Sequence, residues 1–174
     1  MSCLTLVTGG GRSGKSAYAL SRALGYESRV FIATAEAVDA EMRKRIDRHK
    51  RERAGSFITI EEPLDLADAL GRIPSGASVA VIDCLAVWIG NLMHQRPSRE
   101  QESIDAFLAA LTTATVDLIV VTNEVGMGII PENEISRQYR DLLGMVNQRV
   151  ADMAQKVILM ISGIPVVIKG DGHG

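Results

Sequence analysis

A glycine-rich segment near the N-terminus constrains the fold more than any other part of the chain. Residues 9–16 fit the pattern G-x-x-x-x-G-K-[ST] without a mismatch and read Gly9, Gly10, Gly11, Arg12, Ser13, Gly14, Lys15 and Ser16. The apolar residues 4–7 before the segment predict a strand, and residues 17–20 after it predict a helix, which is the setting that the pattern requires. The segment is therefore predicted to be a phosphate-binding loop.

Each residue type in this loop has a chemical purpose. Glycines allow the backbone to curl, so that successive N–H groups point at phosphate oxygens beside the positive end of the following helix. Lys15 would contact the β- and γ-phosphates, and the Ser16 hydroxyl would coordinate a bridging Mg²⁺. The alternative is a glycine-rich turn with an incidental lysine and serine, and the flanking strand and helix disfavour it.

Length and composition narrow the class of protein. The 174 residues suit one domain, predicted over residues 1–170, with a flexible tail at 171–174. A net charge of −2 and 4% aromatic residues give no reason to expect nucleic-acid binding. The sequence shows neither a secretion signal nor an apolar stretch long enough to span a membrane. Cys3 and Cys84 lack metal-ligand or disulfide spacing, so we expect reduced thiols in a cytoplasmic protein.

Strands and helices alternate along the chain. Apolar runs at 29–34, 57–60, 79–83 and 118–122 predict strands, and helical spacing separates most of them. This order predicts an α/β fold with a mostly parallel sheet covered by helices on both faces. The longest helix is predicted to bury a stripe of Ile135, Tyr139, Leu142, Leu143, Val146, Val150 and Met153. Residues 94–102 are expected to form a surface loop, and 157–161 with 166–168 a possible C-terminal hairpin.

Polar residues follow several of these strands, and ligands of parallel sheets bind beyond the carboxyl ends of the strands. Asp83 is expected either to hold Mg²⁺ or to cap the next helix. Glu61 and Glu62 fit either a nucleotide contact or a helix cap. Glu124 could be a base for a substrate hydroxyl, but it could also be an ordinary acidic residue of a surface loop. One crevice could gather all of these strand ends.

A basic segment predicted as a helix over residues 39–53 contains His49. Arg45 lies one turn before this histidine, Arg53 lies one turn after it, and Lys50 is adjacent. The cations would keep the imidazole neutral and attract a polyphosphate to it, as nucleophilic attack on phosphorus requires. For an isolated helix, the alternative of a histidine on a solvated basic surface is the commoner case.

Several segments together give the chain a family resemblance. They are the phosphate loop, R-I-D-R-H-K at 45–50, E-E-P at 61–63, D-C-L at 83–85 and N-E-V-G-M-G at 123–128. Further segments, P-E-N at 131–133, N-Q-R at 147–149 and S-G-I-P at 162–165, extend the match nearly from end to end. With them, the chain closely resembles the bifunctional adenosylcobinamide kinase / adenosylcobinamide-phosphate guanylyltransferase family.

The resemblance implies a recombinase-like P-loop NTPase fold, a homotrimer and a role in cobalamin biosynthesis. A nucleoside triphosphate, ATP or GTP, would phosphorylate the aminopropanol hydroxyl of the corrinoid substrate adenosylcobinamide, with Mg²⁺ as cofactor. GMP would then pass from GTP through a histidine intermediate, with His49 at the family's histidine position. The implied catalytic residues are His49 and Lys15, and the implied metal ligands are Ser16 and Asp83. Besides the loop and Asp83, the implied nucleotide contacts are Ala33, Thr34, Ala35, Lys50, Arg51, Glu52, Arg53 and Glu62.

Overall fold

A computed structural model describes residues 2–36 and 55–170 of the chain. The helix predicted over 39–53 and the predicted tail at 171–174 lie outside these residues. None of the helices in the described ranges has the length and apolar composition needed to cross a bilayer.

The described residues contain one sheet of seven strands in the order β3-β2-β4-β5-β1-β6-β7. The first six strands in this order are parallel to one another, and β7 runs antiparallel to β6. The mostly parallel sheet and the C-terminal hairpin are therefore confirmed. The strands are β1 (Leu4–Gly9), β2 (Arg29–Ala33), β3 (Ile58–Glu61), β4 (Val79–Asp83), β5 (Asp117–Val121), β6 (Lys156–Ile161) and β7 (Ile164–Lys169).

Helices cover both faces of the sheet, as the alternating pattern predicts. Consecutive strand residues point to opposite faces, so Ala80 and Ile82 belong to one apolar cluster while Val79 and Val81 belong to another. The larger cluster packs against α2 to α5, and the smaller packs against α1. The helices are α1 (Lys15–Ala23), α2 (Leu66–Gly71), α3 (Leu85–Gln95), α4 (Glu100–Thr113) and α5 (Glu134–Met153).

The prediction of a surface loop over residues 94–102 is mostly wrong. Helix α3 continues to Gln95 and α4 begins at Glu100. Polar side chains are compatible with helix when they lie on its exposed face, where they can pair along the helix. The side-chain amide of Gln101 donates a hydrogen bond of 3.0 Å to Asp105, one turn further on.

One residue of the stripe predicted for α5 is not in the core. Leu143, Val146 and Val150 are buried, whereas the side chain of Ile135 is 71% exposed. The other stripe residues, Tyr139, Leu142 and Met153, are partly buried against the larger cluster. Periodicity identifies the apolar face of a helix, but it does not indicate how far that helix extends beyond the layer that it covers.

Candidate active site

The phosphate loop follows β1, and its backbone conformation requires glycine at two positions. Gly9 has φ of +145° and Gly14 has φ of +93°, values that residues with a side chain rarely adopt. A Cβ atom on Gly9 would lie 2.4 Å from the carbonyl oxygen of Met160 on the neighbouring strand β6. The loop therefore depends on glycine at position 9 for space as well as for conformation.

Helix α1 begins directly after the loop, and its start is suited to an anion. Its N-cap, Gly14, makes no side-chain capping hydrogen bond, and its first turn contains no acidic residue. The N–H groups of such a first turn are available to phosphate oxygens, and the helix dipole favours negative charge there. Ser16, the predicted metal ligand, is half-buried in this first turn.

Lys15 is held inside the loop that it is predicted to serve. Its side chain is only 7% exposed, and Nζ donates hydrogen bonds to the Gly10 carbonyl oxygen at 2.5 Å and to Ser13 Oγ at 3.5 Å. The ammonium group is thus positioned by the curled backbone, at the place where phosphate oxygens would compete for it. The curled loop and its inward lysine are features of the structure, and contact of Lys15 with phosphates stays a prediction.

The hairpin of β6 and β7 supports the loop from the side. Its two-residue turn, Ser162 and Gly163, has positive φ at both positions, as expected of a tight type I′ turn. The Gly163 N–H donates a 3.0 Å hydrogen bond to the Ser13 carbonyl oxygen. A Cβ atom on Gly14 would lie 3.4 Å from Gly163 Cα. The sequence motif contains no indication of this contact, because the two segments are far apart in the chain.

Substitution of Gly9 tests how tightly the loop is packed. The Gly9→Ala variant should lose about 3 kcal/mol of unfolding free energy, because the new Cβ would overlap the Met160 carbonyl oxygen in a strained backbone conformation. Urea unfolding followed by circular dichroism measures this loss.

Gly144→Ala is the matched control for Gly9→Ala. Gly144 lies within α5, and a Cβ atom there meets nothing within 4 Å. Alanine should therefore stabilise the helix by about 0.5–1 kcal/mol. Equal stability of the Gly9→Ala variant and the wild type would show that the strand β6 backbone does not constrain the loop.

Asp83 ends β4, and the structure does not use it as a helix cap. The N-cap of α3 is Cys84, whose side chain makes no capping hydrogen bond. Strand β5 lies between β4 and β1, so Asp83 is two strand spacings, about 10 Å, from the strand that leads into the phosphate loop. Of the two alternatives for this carboxylate, the metal role remains as a prediction.

The oxygen atoms of Ser16 and Asp83 fit a nucleotide-bound Mg²⁺. Mg²⁺ is usually held by one or two protein oxygens, with substrate phosphates and waters completing its coordination. The described residues contain no cluster of three or more His, Cys, Asp or Glu side chains that could hold a metal by themselves. The fit of this pair to Mg²⁺ rests on its two oxygen donors, and its metal role stays a prediction.

Cys84 lies next to Asp83 and is a free thiol, as is Cys3. Burial, followed by the charge of Asp83, raises the pKa of the Cys84 thiol to about 11. The group therefore stays protonated at neutral pH and is a poor nucleophile or metal ligand.

Glu62, the predicted nucleotide contact after β3, has structural partners. Its Oε1 accepts hydrogen bonds from the backbone N–H groups of Leu64 and Asp65, at 3.1 and 2.9 Å. Its Oε2 pairs with Arg72 at 2.6 Å. Strand β3 is also four spacings, about 19 Å, from β1. The N-cap of α2 is Asp65, whose side chain accepts from the Asp68 N–H, so Glu62 binds the turn before the helix rather than capping it. Its nucleotide contact stays a prediction.

Thr34 follows β2 and is buried, with its side chain bonded to the turn after β4. Its Oγ1 donates to the Cys84 carbonyl oxygen at 2.9 Å and accepts from the Cys84 N–H at 2.8 Å. Ala33 and Ala35 on either side are partly exposed. Contact of this turn with a nucleotide stays a prediction, and the Thr34 hydroxyl already has both of its partners.

Two asparagines hold the strand ends together, a role that the sequence did not reveal. Asn91 of α3 donates to the carbonyl oxygens of Thr34 and Pro63, at 2.8 and 3.1 Å. Asn147 of α5 donates to the Asn123 carbonyl oxygen at 3.0 Å and accepts a 2.7 Å hydrogen bond from Thr122. A polar residue between apolar neighbours on a core-facing helix is the one signal that could have identified them.

The strand ends predicted to share a crevice lie at one edge of the sheet, because the strands that they follow are parallel. The predicted residues His49, Lys50, Arg51, Glu52 and Arg53 lie outside the described ranges, and their roles stay predictions.

Comparison with known proteins identifies relatives that match over nearly the whole chain. A family model described as cobinamide kinase / cobinamide phosphate guanyltransferase matches residues 5–168. The chain is 37% identical over 170 residues to the bifunctional adenosylcobalamin biosynthesis protein CobP of Pseudomonas aeruginosa, covering 95% of this chain and 97% of that protein. It is 35% identical over 181 residues to the bifunctional adenosylcobalamin biosynthesis protein CobU of Escherichia coli, covering 95% and 99%.

Solved structures with the same fold are much less similar in sequence. A KaiC-like protein of Pyrococcus horikoshii aligns with a TM-score of 0.54 at 17% identity, covering 98% of this chain and 80% of that chain. The RadB recombinase aligns with a TM-score of 0.53 at 14% identity, covering 99% and 83%. These likenesses concern the fold alone, and they confirm the recombinase-like P-loop fold.

Proposed function

Because the chain belongs to the cobinamide kinase / cobinamide phosphate guanyltransferase family, we propose that it catalyses both reactions of that name in cobalamin biosynthesis. It would phosphorylate the aminopropanol hydroxyl of adenosylcobinamide and then transfer GMP from GTP to the product, giving adenosylcobinamide-GDP. The observation that carries this proposal is the complete phosphate loop, with Lys15 directed inward, at the sheet edge that also holds Asp83. The names of the relatives from P. aeruginosa and E. coli describe bifunctional proteins of adenosylcobalamin biosynthesis.

In the kinase reaction, the loop would bind the phosphates of ATP or GTP. The N–H groups at the start of α1 and the Lys15 ammonium would stabilise the charge on the transferred phosphoryl group. Ser16 and Asp83 would hold Mg²⁺, which neutralises charge on the β- and γ-phosphates when bound. Since little covalent chemistry falls to the protein in phosphoryl transfer, positioning and electrostatics would account for most of the acceleration.

In the guanylyltransferase reaction, His49 would attack the α-phosphate of GTP. A P–N bond would form as the bond to the β-phosphate oxygen breaks, and pyrophosphate would leave. The phosphate of the phosphorylated corrinoid would then displace the histidine and take GMP. Lys50, Arg51, Glu52 and Arg53 would lie beside the nucleotide, and the three cations among them would attract its phosphates.

Two further parts of the proposal concern the setting of the enzyme. We propose a homotrimer, and support comes from β7, whose side chains of Ile164, Val166, Val167 and Ile168 are between 40% and 65% exposed. Exposed apolar strands at a sheet edge are usually covered by another chain. Sedimentation velocity tests the trimer, and a monomer at micromolar concentration would contradict it.

We also place the protein in the cytoplasm, where its two free thiols would stay reduced.

Two other functions fit part of the site. A kinase without guanylyl transfer would need the loop and Asp83 but not His49, and a non-catalytic nucleotide switch would need only the binding elements. Incubation with Mg²⁺, GTP and adenosylcobinamide, followed by mass spectrometry of the corrinoid, separates the three. We expect adenosylcobinamide phosphate and then adenosylcobinamide-GDP. Accumulation of adenosylcobinamide phosphate alone would indicate a kinase without guanylyl transfer. Unchanged adenosylcobinamide, with GTP bound to the protein, would indicate the non-catalytic nucleotide switch.

A further inference from the structure

The segment after β5 lies at the centre of the proposed site. In the sheet, β5 separates β1 from β4, and its last residue, Val121, is in register with both Val7 and Asp83. The chain that leaves β5 therefore emerges between the phosphate loop and the proposed metal ligand. The Glu124 N–H donates a 3.0 Å hydrogen bond to the Gly9 carbonyl oxygen, which joins this segment directly to the loop.

The carboxylate of Glu124 is oriented and partly available. Its Oε1 accepts a 2.6 Å hydrogen bond from the Gly126 N–H, while Oε2 has no hydrogen-bond partner within residues 2–36 and 55–170. Asn147 and Thr122 brace the backbone just before it. A half-buried carboxylate with one fixed and one available oxygen is suited to accept a proton from a hydroxyl group.

The residues that follow form an unusual apolar surface. The side chains of Met127, Ile129, Ile130 and Ile135 are 82%, 97%, 65% and 71% exposed, and we call them the apolar loop surface. Large apolar side chains that project into solvent in a contiguous segment generally mark a binding surface. This one begins three residues after Glu124.

The geometry points to residues 124–135 as the acceptor subsite of the kinase reaction, an inference that rests on the proposed function. Glu124 is inferred to be the general base. The hydroxyl oxygen of the acceptor attacks the γ-phosphorus, its proton passes to Glu124, and the bond to the β-phosphate oxygen breaks to release the nucleoside diphosphate. The apolar loop surface contacts the bulky body of the corrinoid. The body of an acceptor of this size must lie outside the phosphate loop, while its hydroxyl group must extend to the γ-phosphate. Residues 124–135 offer an apolar surface for the body and a carboxylate beside the loop for the hydroxyl group.

The first test replaces the base and leaves the size of the side chain unchanged. Glu124→Gln should lower kcat for phosphorylation of adenosylcobinamide about 100-fold, while the Kd for ATP, measured by calorimetry, stays within about threefold. Glu27→Gln, the same change on an exposed residue that precedes β2 and lies outside residues 124–135, should leave kcat within about twofold. The melting temperature of each variant shows whether it is folded.

The second test concerns the apolar loop surface. Ile129→Asn should raise the KM for adenosylcobinamide at least about tenfold and leave the KM for ATP unchanged, because it removes apolar contact with the acceptor only. Leu24→Asn is the control, since Leu24 is 54% exposed at the end of α1 that faces away from the loop. A changed sedimentation coefficient with an unchanged KM would assign this surface to a second copy of the chain and overturn the subsite.

The outcomes separate this inference from the proposed function. Wild-type protein that does not phosphorylate adenosylcobinamide would overturn both. Wild-type phosphorylation with full activity of Glu124→Gln would overturn the assignment of the base and leave the proposed function intact.

Discussion

Replacing His49 with asparagine should abolish the covalent enzyme–GMP species, lowering its formation at least about 1000-fold. Asparagine keeps the polarity of the side chain but has no nucleophilic nitrogen, so the P–N bond cannot form. The measurement uses GTP labelled at the α-phosphate with Mg²⁺, followed by denaturation. In the wild type, we expect protein-bound label that is stable to base and lost in acid, as a phosphoramidate is.

His94→Asn is the matched control for this experiment. His94 is exposed near the end of α3, so the same substitution should leave labelling unchanged. Phosphorylation of adenosylcobinamide by the His49→Asn variant should fall less than about tenfold, since that reaction uses the phosphate loop. Full labelling of His49→Asn would show that another residue is the nucleophile, and an unlabelled wild type that still phosphorylates the corrinoid would favour the kinase alone.

The phosphate loop could be predicted residue by residue because its information is local. Two glycines, a lysine and a serine at fixed spacing specify both the turn and its chemistry, and the structure adds distances rather than new residues. The sheet could be predicted nearly as well, since buried parallel strands give continuous apolar runs. The carboxyl ends of the strands could be expected to lie at one edge of the sheet, because the strands were predicted to be parallel.

Contacts between distant segments could not be predicted in this way. Glu62 meets Arg72 on the far side of a short helix, and Asn91 bonds to Thr34, 57 residues away. Each of these residue types has several common roles, and only the folded arrangement selects among them. The exposure of Ile135 has a related cause, because periodicity carries no information on where a core ends.

Two parts of the site therefore rest on different grounds. The loop, Asp83 and Glu124 can be argued from contacts at the sheet edge, whereas His49 is argued from charge pattern and family membership. The contrast predicts separable effects, because variants of the loop should impair nucleotide use in the kinase reaction while His49 variants impair guanylylation.

Lys15→Met should reduce kcat/KM for phosphorylation about 100- to 1000-fold, since methionine retains an apolar stem but removes the charge aimed at the β- and γ-phosphates. Lys15 is buried in the wild type and bonded to Gly10 and Ser13, so its charge is fixed inside the loop. Lys15→Arg should not restore activity, because a planar guanidinium cannot occupy the space of a compact ammonium group. Steady-state kinetics of corrinoid phosphorylation measures both effects.

The control variant is Lys156→Met, at the start of β6 and therefore at the opposite edge of the sheet from the loop. It should keep kcat/KM within about twofold. Saturating Mg²⁺–ATP should raise the melting temperature of the wild type and of Lys156→Met. It should raise that of Lys15→Met much less, because ligand stabilisation grows with the logarithm of the ratio of ligand concentration to Kd, and a weakened site has a larger Kd. If Lys15→Met kept wild-type kinetics and the full thermal shift, the loop would not be the phosphate site. The kinase reaction would then need a different centre, even though the family assignment would stand.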